Sequence, residues 1–134
     1  MSKVFSRKRS VSELEFWKTA TEIRSDFTRY LMNENKVPKR WRFVFTMPCI
    51  DYVRKLMDEV IAANTIYPTT EAELAQRRYH QNEAIAICEQ IVQHIQWMID
   101  TLELSVSDFE TLCEKIFKEI YLLKAWRKQN RILP

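Results

Sequence analysis

Apolar residues recur every three or four positions in four separate stretches of this chain, the spacing of one face of an α-helix. In the first, Phe16, Trp17, Ala20, Ile23, Phe27, Tyr30 and Leu31 form one stripe, which predicts a helix over residues 13–33. Ser12 with Glu15 fits a capping box at its start, and Asn33-Glu34-Asn35-Lys36 marks its stop. The second stretch, 38–64, opens on Pro38, a residue suited to a first helical turn. It continues through Val44, Met47, Ile50, Val53, Met57, Val60 and Ile61. Pro48 lies inside it. One kinked helix is the favoured expectation, and a separate piece around Trp41 to Phe45 is the alternative. The third stretch, 71–101, is the longest, with Leu74, Gln81, Cys88, Ile95 and Leu102 seven apart and Arg78, Ile85, Val92 and Ile99 on the alternate rungs. That spacing is a bundle seam, and about 30 residues would span about 45 Å. Thr70 with Glu73 makes its capping box. The fourth, 108–128, carries Phe109, Leu112, Cys113, Ile116, Ile120, Leu123 and Trp126, with Ser107 and Glu110 as a third capping box.

No period-2 alternation competes with these four segments, and all the links between them are short. Short links make consecutive helices antiparallel neighbours. The expected fold is all-α, an up-down-up-down four-helix bundle over residues 13–128, with a basic arm over 1–12 and a basic tail over 129–134. Composition agrees. The 134 residues include no glycine, where average usage of about 7% would place roughly nine. Without it, type I′ and II′ hairpin turns become costly. Glycine-rich phosphate loops, the dinucleotide fingerprint and the usual nucleophile elbow are excluded outright.

The net charge of +3 conceals a segregated distribution. Residues 1–12, 35–45 and 120–134 together hold twelve Lys and Arg and no acid, while the other nine cations share the rest of the chain with all eighteen acids. In an antiparallel bundle, Lys124, Arg127, Lys128 and Arg131 would join the N-terminal arm at one pole, together with Arg77 and Arg78. Lys39, Arg40 and Arg42 would lie at the other, interleaved with Trp41 and Phe43. Concentrated Lys and Arg attract phosphate backbones through counterion release, and a neighbouring ring could stack on a base. Two plainer readings stand beside this one. Cations at a helix C-terminus complement the macrodipole without any ligand, and Trp41 and Phe43 read more simply as core or interface residues.

Chemistry is sparse. His80 and His94 are fourteen apart, no Glu-x-x-His or Cys-x-x-Cys occurs, and no metal, cofactor or catalytic residue is expected. Cys49, Cys88 and Cys113 are scattered and odd in number, which reads as reduced core thiols of a cytosolic protein. No apolar run approaches the length of about 20 residues needed to span a membrane.

Three stretches carry a family resemblance. They are Phe16-Trp17-Lys18-Thr19-Ala20; Val37-Pro38-Lys39-Arg40-Trp41-Arg42-Phe43, leading into a helix that ends Ile61-Ala62-Ala63-Asn64; and Leu122-Leu123-Lys124-Ala125-Trp126-Arg127-Lys128-Gln129-Asn130-Arg131. Over roughly residues 13–131 the chain resembles the four-helix-bundle proteins related to the 23S rRNA intervening-sequence protein. Within that group it is most similar to the accessory variability determinant of diversity-generating retroelements. It departs from the family pattern at Asn64 and Ala125, where glycine is favoured, and near Trp41, where one branch places a glutamate.

The expected location, from the cysteine usage, is cytoplasmic; the resemblance implies a homopentamer with a basic surface that associates with a reverse transcriptase, binds RNA or DNA and has no catalytic residues. The expected contacts are Lys39, Arg40, Arg42, Arg77, Arg78, Lys124, Arg127, Lys128 and Arg131; of these Arg77, Arg78, Lys124, Arg127, Lys128 and Arg131 match the family as a basic character and not position by position. An apolar surface at Trp41, Phe43, Val44 and Phe45 is the expected oligomer interface, since a monomer exposing it would carry a large patch. The competing expectation is a structural or protein-binding oligomer of the intervening-sequence type without nucleic-acid binding.

Overall fold

The computed structural model describes residues 14–134. The expected basic arm and the Ser12 cap lie outside the described residues. Those residues form a four-helix bundle with no strand: α1 (Glu15–Leu31), α2 (Met47–Thr65), α3 (Glu71–Leu102) and α4 (Glu110–Lys128). Helix α1 packs on α2 and α4, and α3 closes the ring by packing on the same two. None of these helices is long and apolar enough to cross a membrane.

Each helix buries a stripe. Helix α1 contributes Phe16, Ala20, Ile23, Phe27 and Leu31, and α4 contributes Leu112, Ile116, Ile120 and Leu123, all in one core. Phe16 lies flat on Trp126, ring centroids 3.9 Å apart, so the first turn of α1 meets the last turn of α4. At the far end Tyr30 packs on Phe109 at 4.6 Å. Lysines bind the same pair of helices between these points: Lys118 to Glu15 at 3.0 Å, and Lys115 to Asp26 at 2.6 Å.

The start of α2 differs from the expected kinked helix. A 3₁₀ turn (Lys39–Trp41) and a π turn (Arg42–Thr46) precede it, and regular α-helix begins only at Met47. The cause is Pro48. It has no N–H to donate to the carbonyl of Val44, and its ring would crowd that oxygen. In the first turn of α2 the missing donor breaks no α-type bond, and the turns before it use other hydrogen-bond spacings. Of the expected stripe, Val53, Met57 and Val60 face inward and Ile50 is half-buried. Cys49, Val53, Leu56, Met57, Val60 and Ala63 are buried, while Val44, Met47 and Ile61 are exposed.

The helix ends obey local rules unevenly. The Thr70 box forms: its hydroxyl accepts the Glu73 N–H at 3.1 Å, and the Glu73 carboxylate accepts the N–H of Thr70 at 3.2 Å and of Thr69 at 2.8 Å. Those bonds, with the Thr69 hydroxyl foremost, hold the Glu73 carboxyl below its usual range. The Ser107 box does not form. Its hydroxyl pairs with Ser105 at 2.7 Å, and a 3₁₀ turn (Val106–Phe109) leads into α4. Helix α3 ends on Glu103 in the left-handed conformation, φ 54°. A non-glycine residue pays about 1 kcal/mol there.

One core position breaks the apolar pattern without compensation. Glu119 on α4 is fully buried, and neither carboxylate oxygen has a hydrogen-bond partner among the described residues. Desolvation pushes its carboxyl up to about 9, so at neutral pH the group is protonated. An unfolded glutamate releases its proton near 4.5, whereas this one keeps it until the folded value is reached. The unfolded state therefore binds fewer protons between those limits, and stability falls as pH rises through that window. The difference amounts to about 3 kcal/mol at pH 7. We expect Glu119→Met to stabilise the fold by about 2–3 kcal/mol at pH 7 and to flatten its decline from pH 5 to 9, measured by urea denaturation across that range. An equal or steeper decline in the variant would refute the assignment.

Candidate nucleic-acid interface

The last turns of α4 carry Lys124, Arg127 and Lys128, and Arg131 follows on the chain beyond. That chain is held. Asn130 and Gln81 of α3 exchange two amide hydrogen bonds, 2.6 and 3.2 Å, and the N–H of Leu133 donates to the carbonyl of Pro68 at 2.8 Å. Arg127 reaches across to α3 and donates to the Asn82 side-chain oxygen at 2.7 Å. Arg78 lies one turn before Asn82 on α3, so Arg78, Asn82 and Arg127 sit along the α3–α4 seam. Lys124, Arg78, Lys128 and Arg131 are exposed.

Arg77 is different. Its guanidinium donates to the carbonyls of Ala63 at 3.2 Å and Ile66 at 2.6 Å. It also lies 5.6 Å from the Trp126 ring centroid. These are the orphan carbonyls at the C-terminus of α2, so Arg77 caps that helix. Burial lowers its pKa, though a guanidinium remains cationic at neutral pH. Sequence neighbours Arg77 and Arg78 thus have opposite roles, because one helical step of 100° turns the first inward.

The opposite pole holds Lys39, Arg40 and Arg42, the first two exposed. Arg40 stands 5.9 Å from the Trp41 ring centroid, Trp41 tilts on Phe45 at 5.7 Å, and Phe45 meets Trp97 edge-on at 4.7 Å. An open cleft of about 470 Å³ lies here, lined by Lys36, Arg40, Trp41, Glu103, Ser105 and Asp108. It has mixed charge. Asp108 accepts from Lys36 at 3.0 Å and from the Tyr30 hydroxyl at 2.8 Å. The Lys36 bond, then the Tyr30 bond, holds its carboxyl below the usual range. The stretch 35–45 is free of acid in sequence but not in space, since the α3–α4 link supplies Asp108.

Among the described residues, none of Lys39, Arg40, Arg42, Arg77, Arg78, Lys124, Arg127, Lys128 or Arg131 forms an ion pair. Pairing of Lys and Arg with carboxylates falls elsewhere, at Lys115, Lys118, Arg29, Lys36 and Arg54. Of the expected interface residues, Phe43 is 78% exposed and Val44 is exposed, with Met47 beside them. Trp41 is half-buried. Phe45 is fully buried and belongs to the core of its own chain, because the π turn points it between Trp41 and Trp97.

Sequence reasoning missed Phe117 and Tyr121, both exposed aromatics on α4. The signal was present: neither falls on the Leu112, Ile116, Ile120, Leu123 stripe. His80 is bonded to Glu59 at 2.5 Å, and His94 to the Gln90 carbonyl at 2.9 Å. The described residues include no cluster of three or more His, Cys, Asp or Glu able to hold a metal. All three cysteines are free, and burial pushes the Cys49 thiol up to about 12.

Compared with protein-family models, with curated proteins and with solved structures, the chain has no match in any of the three.

Replacing Arg77 by Ala should lower stability by about 1–2 kcal/mol, through loss of the α2 cap, while Arg78→Ala should change it by less than about 0.5 kcal/mol. Chemical denaturation of the two variants checks this, and equal effects would remove the distinction drawn between them.

Proposed function

We propose that this protein is a non-enzymatic accessory subunit that forms a homo-oligomeric ring, pentameric by resemblance, and binds nucleic acid through basic surfaces. It holds template RNA or cDNA beside a reverse transcriptase in the cytoplasm. The observation that carries nucleic-acid binding is the cationic end of α3 and α4. Lys124, Arg78, Arg127, Lys128 and Arg131 have no carboxylate partner among the described residues, and the chain beyond α4 is held by the Gln81–Asn130 amide pair and the Leu133–Pro68 backbone bond. Such a surface lowers its free energy by binding a polyanion and releasing condensed counterions. The reverse transcriptase, the retroelement setting and the number five rest on the resemblance of Val37–Phe43 and Leu122–Arg131 to the accessory variability determinant family.

An up-down-up-down antiparallel order suits this reading. Contacts between Phe16 and Trp126 and between Tyr30 and Phe109 run in opposite senses along α1 and α4. Phe45–Trp97 and Glu59–His80 do the same for α2 and α3. That order brings the starts of α1 and α3 to the ends of α2 and α4, which gathers the cations at one pole.

Oligomerisation is supported by the surface of Phe43, Val44 and Met47. It is apolar, it lies on the irregular start of α2, and a ring buries it through repeated head-to-tail contact. A purely structural oligomer is the second reading. The neutralised Lys36–Asp108 pair favours it at the α2 end only.

Reversing four charges together (Lys124→Glu, Arg127→Glu, Lys128→Glu, Arg131→Glu) should abolish measurable RNA binding near physiological salt. Milder reversal of two should reduce the slope of log K against log salt by about 1–2. Polarisation titrations across a salt series read both. Wild-type binding by the quadruple variant would exclude the α4 end as the interface. Independently, Phe43→Ser with Val44→Ser should shift the sedimentation mass toward the monomer; an unchanged mass would place the subunit contact elsewhere.

A further inference from the structure

The outward face of α4 is not used by the bundle. Phe117, Tyr121, Lys124 and Lys128 are spaced by four, three and four residues, so they form one stripe about 16 Å long on the solvent side. Phe117 is 54% exposed and Tyr121 72% exposed. Neither ring pairs with another described aromatic ring. The lysines form no ion pair among the described residues. Two bare rings thus lead directly into two bare cations along one line.

We propose that this stripe is a track for single-stranded nucleic acid, in which Phe117 and Tyr121 stack on unpaired bases and Lys124 and Lys128 hold the phosphates that follow. The inference rests on the proposed nucleic-acid binding and specifies its form. In a duplex each base face is already covered by its neighbours, so rings on a protein surface find nothing to stack on. A single strand offers every base face, and an aromatic ring beside a cationic groove is the arrangement that takes it without regard to sequence. The charge favours this occupant over a second copy of the chain. No acid follows Glu119 in the sequence, and Glu119 itself is buried out of the surface. The exposed acids on the same face, Glu110 and Glu114, lie before Phe117, so the stretch from Tyr121 to Lys128 presents lysines alone to a phosphate backbone.

The test uses the full chain, a labelled single-stranded RNA 20-mer of mixed sequence and a 20-base-pair duplex, titrated by fluorescence polarisation at two salt concentrations. Phe117→Ala with Tyr121→Ala should weaken single-strand binding by about tenfold or more, with duplex binding within twofold and the salt slope unchanged. Phe117→Leu with Tyr121→Leu keeps apolar bulk without the ring and should lose single-strand affinity to a similar extent. Both variants should sediment as the wild type does. Unchanged single-strand affinity in both variants, an equal loss on duplex, or a changed sedimentation mass would overturn the track, the last marking the stripe as a contact between copies. If the wild type binds neither RNA nor duplex, the proposed function itself fails and the track with it.

Discussion

A backbone without glycine has to change direction on the right-handed side of conformational space, and the links of this bundle are built around that restriction. Only Glu103 among the described residues takes a positive φ. It closes α3, where a left-handed residue lets the next N–H groups reach back to the carbonyl of Ile99. The α2–α3 link is extended at Ile66 and Thr70, and the links before α2 and α4 tighten or widen the helix itself. The 3₁₀ and π turns before α2 and the 3₁₀ turn before α4 are both of this kind. The cost is irregular packing beside them. Phe43, Val44 and Met47 are left facing solvent on the stretch where Pro48 prevents a regular start.

The distribution of carboxylates then separates the two ends of the molecule. Between α1 and the first half of α4, lysines meet acids: Lys115 lies between Glu22 and Asp26, and Lys118 meets Glu15. Two turns further on, the same helix carries cations with none. What fixes the chain there holds no carboxylate: the Gln81–Asn130 amide pair, the Leu133–Pro68 backbone bond and Arg127 on the uncharged Asn82 amide. Such contacts hold geometry without cancelling charge, which leaves the field of the pole intact. The cleft at the other end is the counterexample, because Asp108 neutralises Lys36 within it.

Glu119 connects core and surface. It is the last acid in the chain; a solvent-facing carboxylate at that point would sit between the lysine pairs of mid-bundle and the free lysines of the end. Buried and protonated, it contributes no negative charge to either. Its burial is unfavourable for stability, and no described group compensates it.

How far the sequence alone determined this protein can be judged residue by residue. Helical periodicity is local, so the stripes of α1 and α4, the Thr70–Glu73 box and the extent of α1, α3 and α4 were legible to within a few residues, whereas α2 starts nine residues later than the pattern placed it. The avoidance of acid in three stretches was equally plain, being a property of composition. What the tertiary structure decided is every question of pairing between distant segments. Pattern alone could not tell Arg77, turned onto the carbonyls of Ala63 and Ile66, from Arg78 in solvent. Nor could it place Asp108 beside Lys36, turn Phe45 into the core and Phe43 out of it, or bury Glu119. The physical reason is that propensity and period act over one or two turns of backbone, whereas desolvation and charge pairing depend on which surfaces meet, and that is settled only when all four helices close on one another.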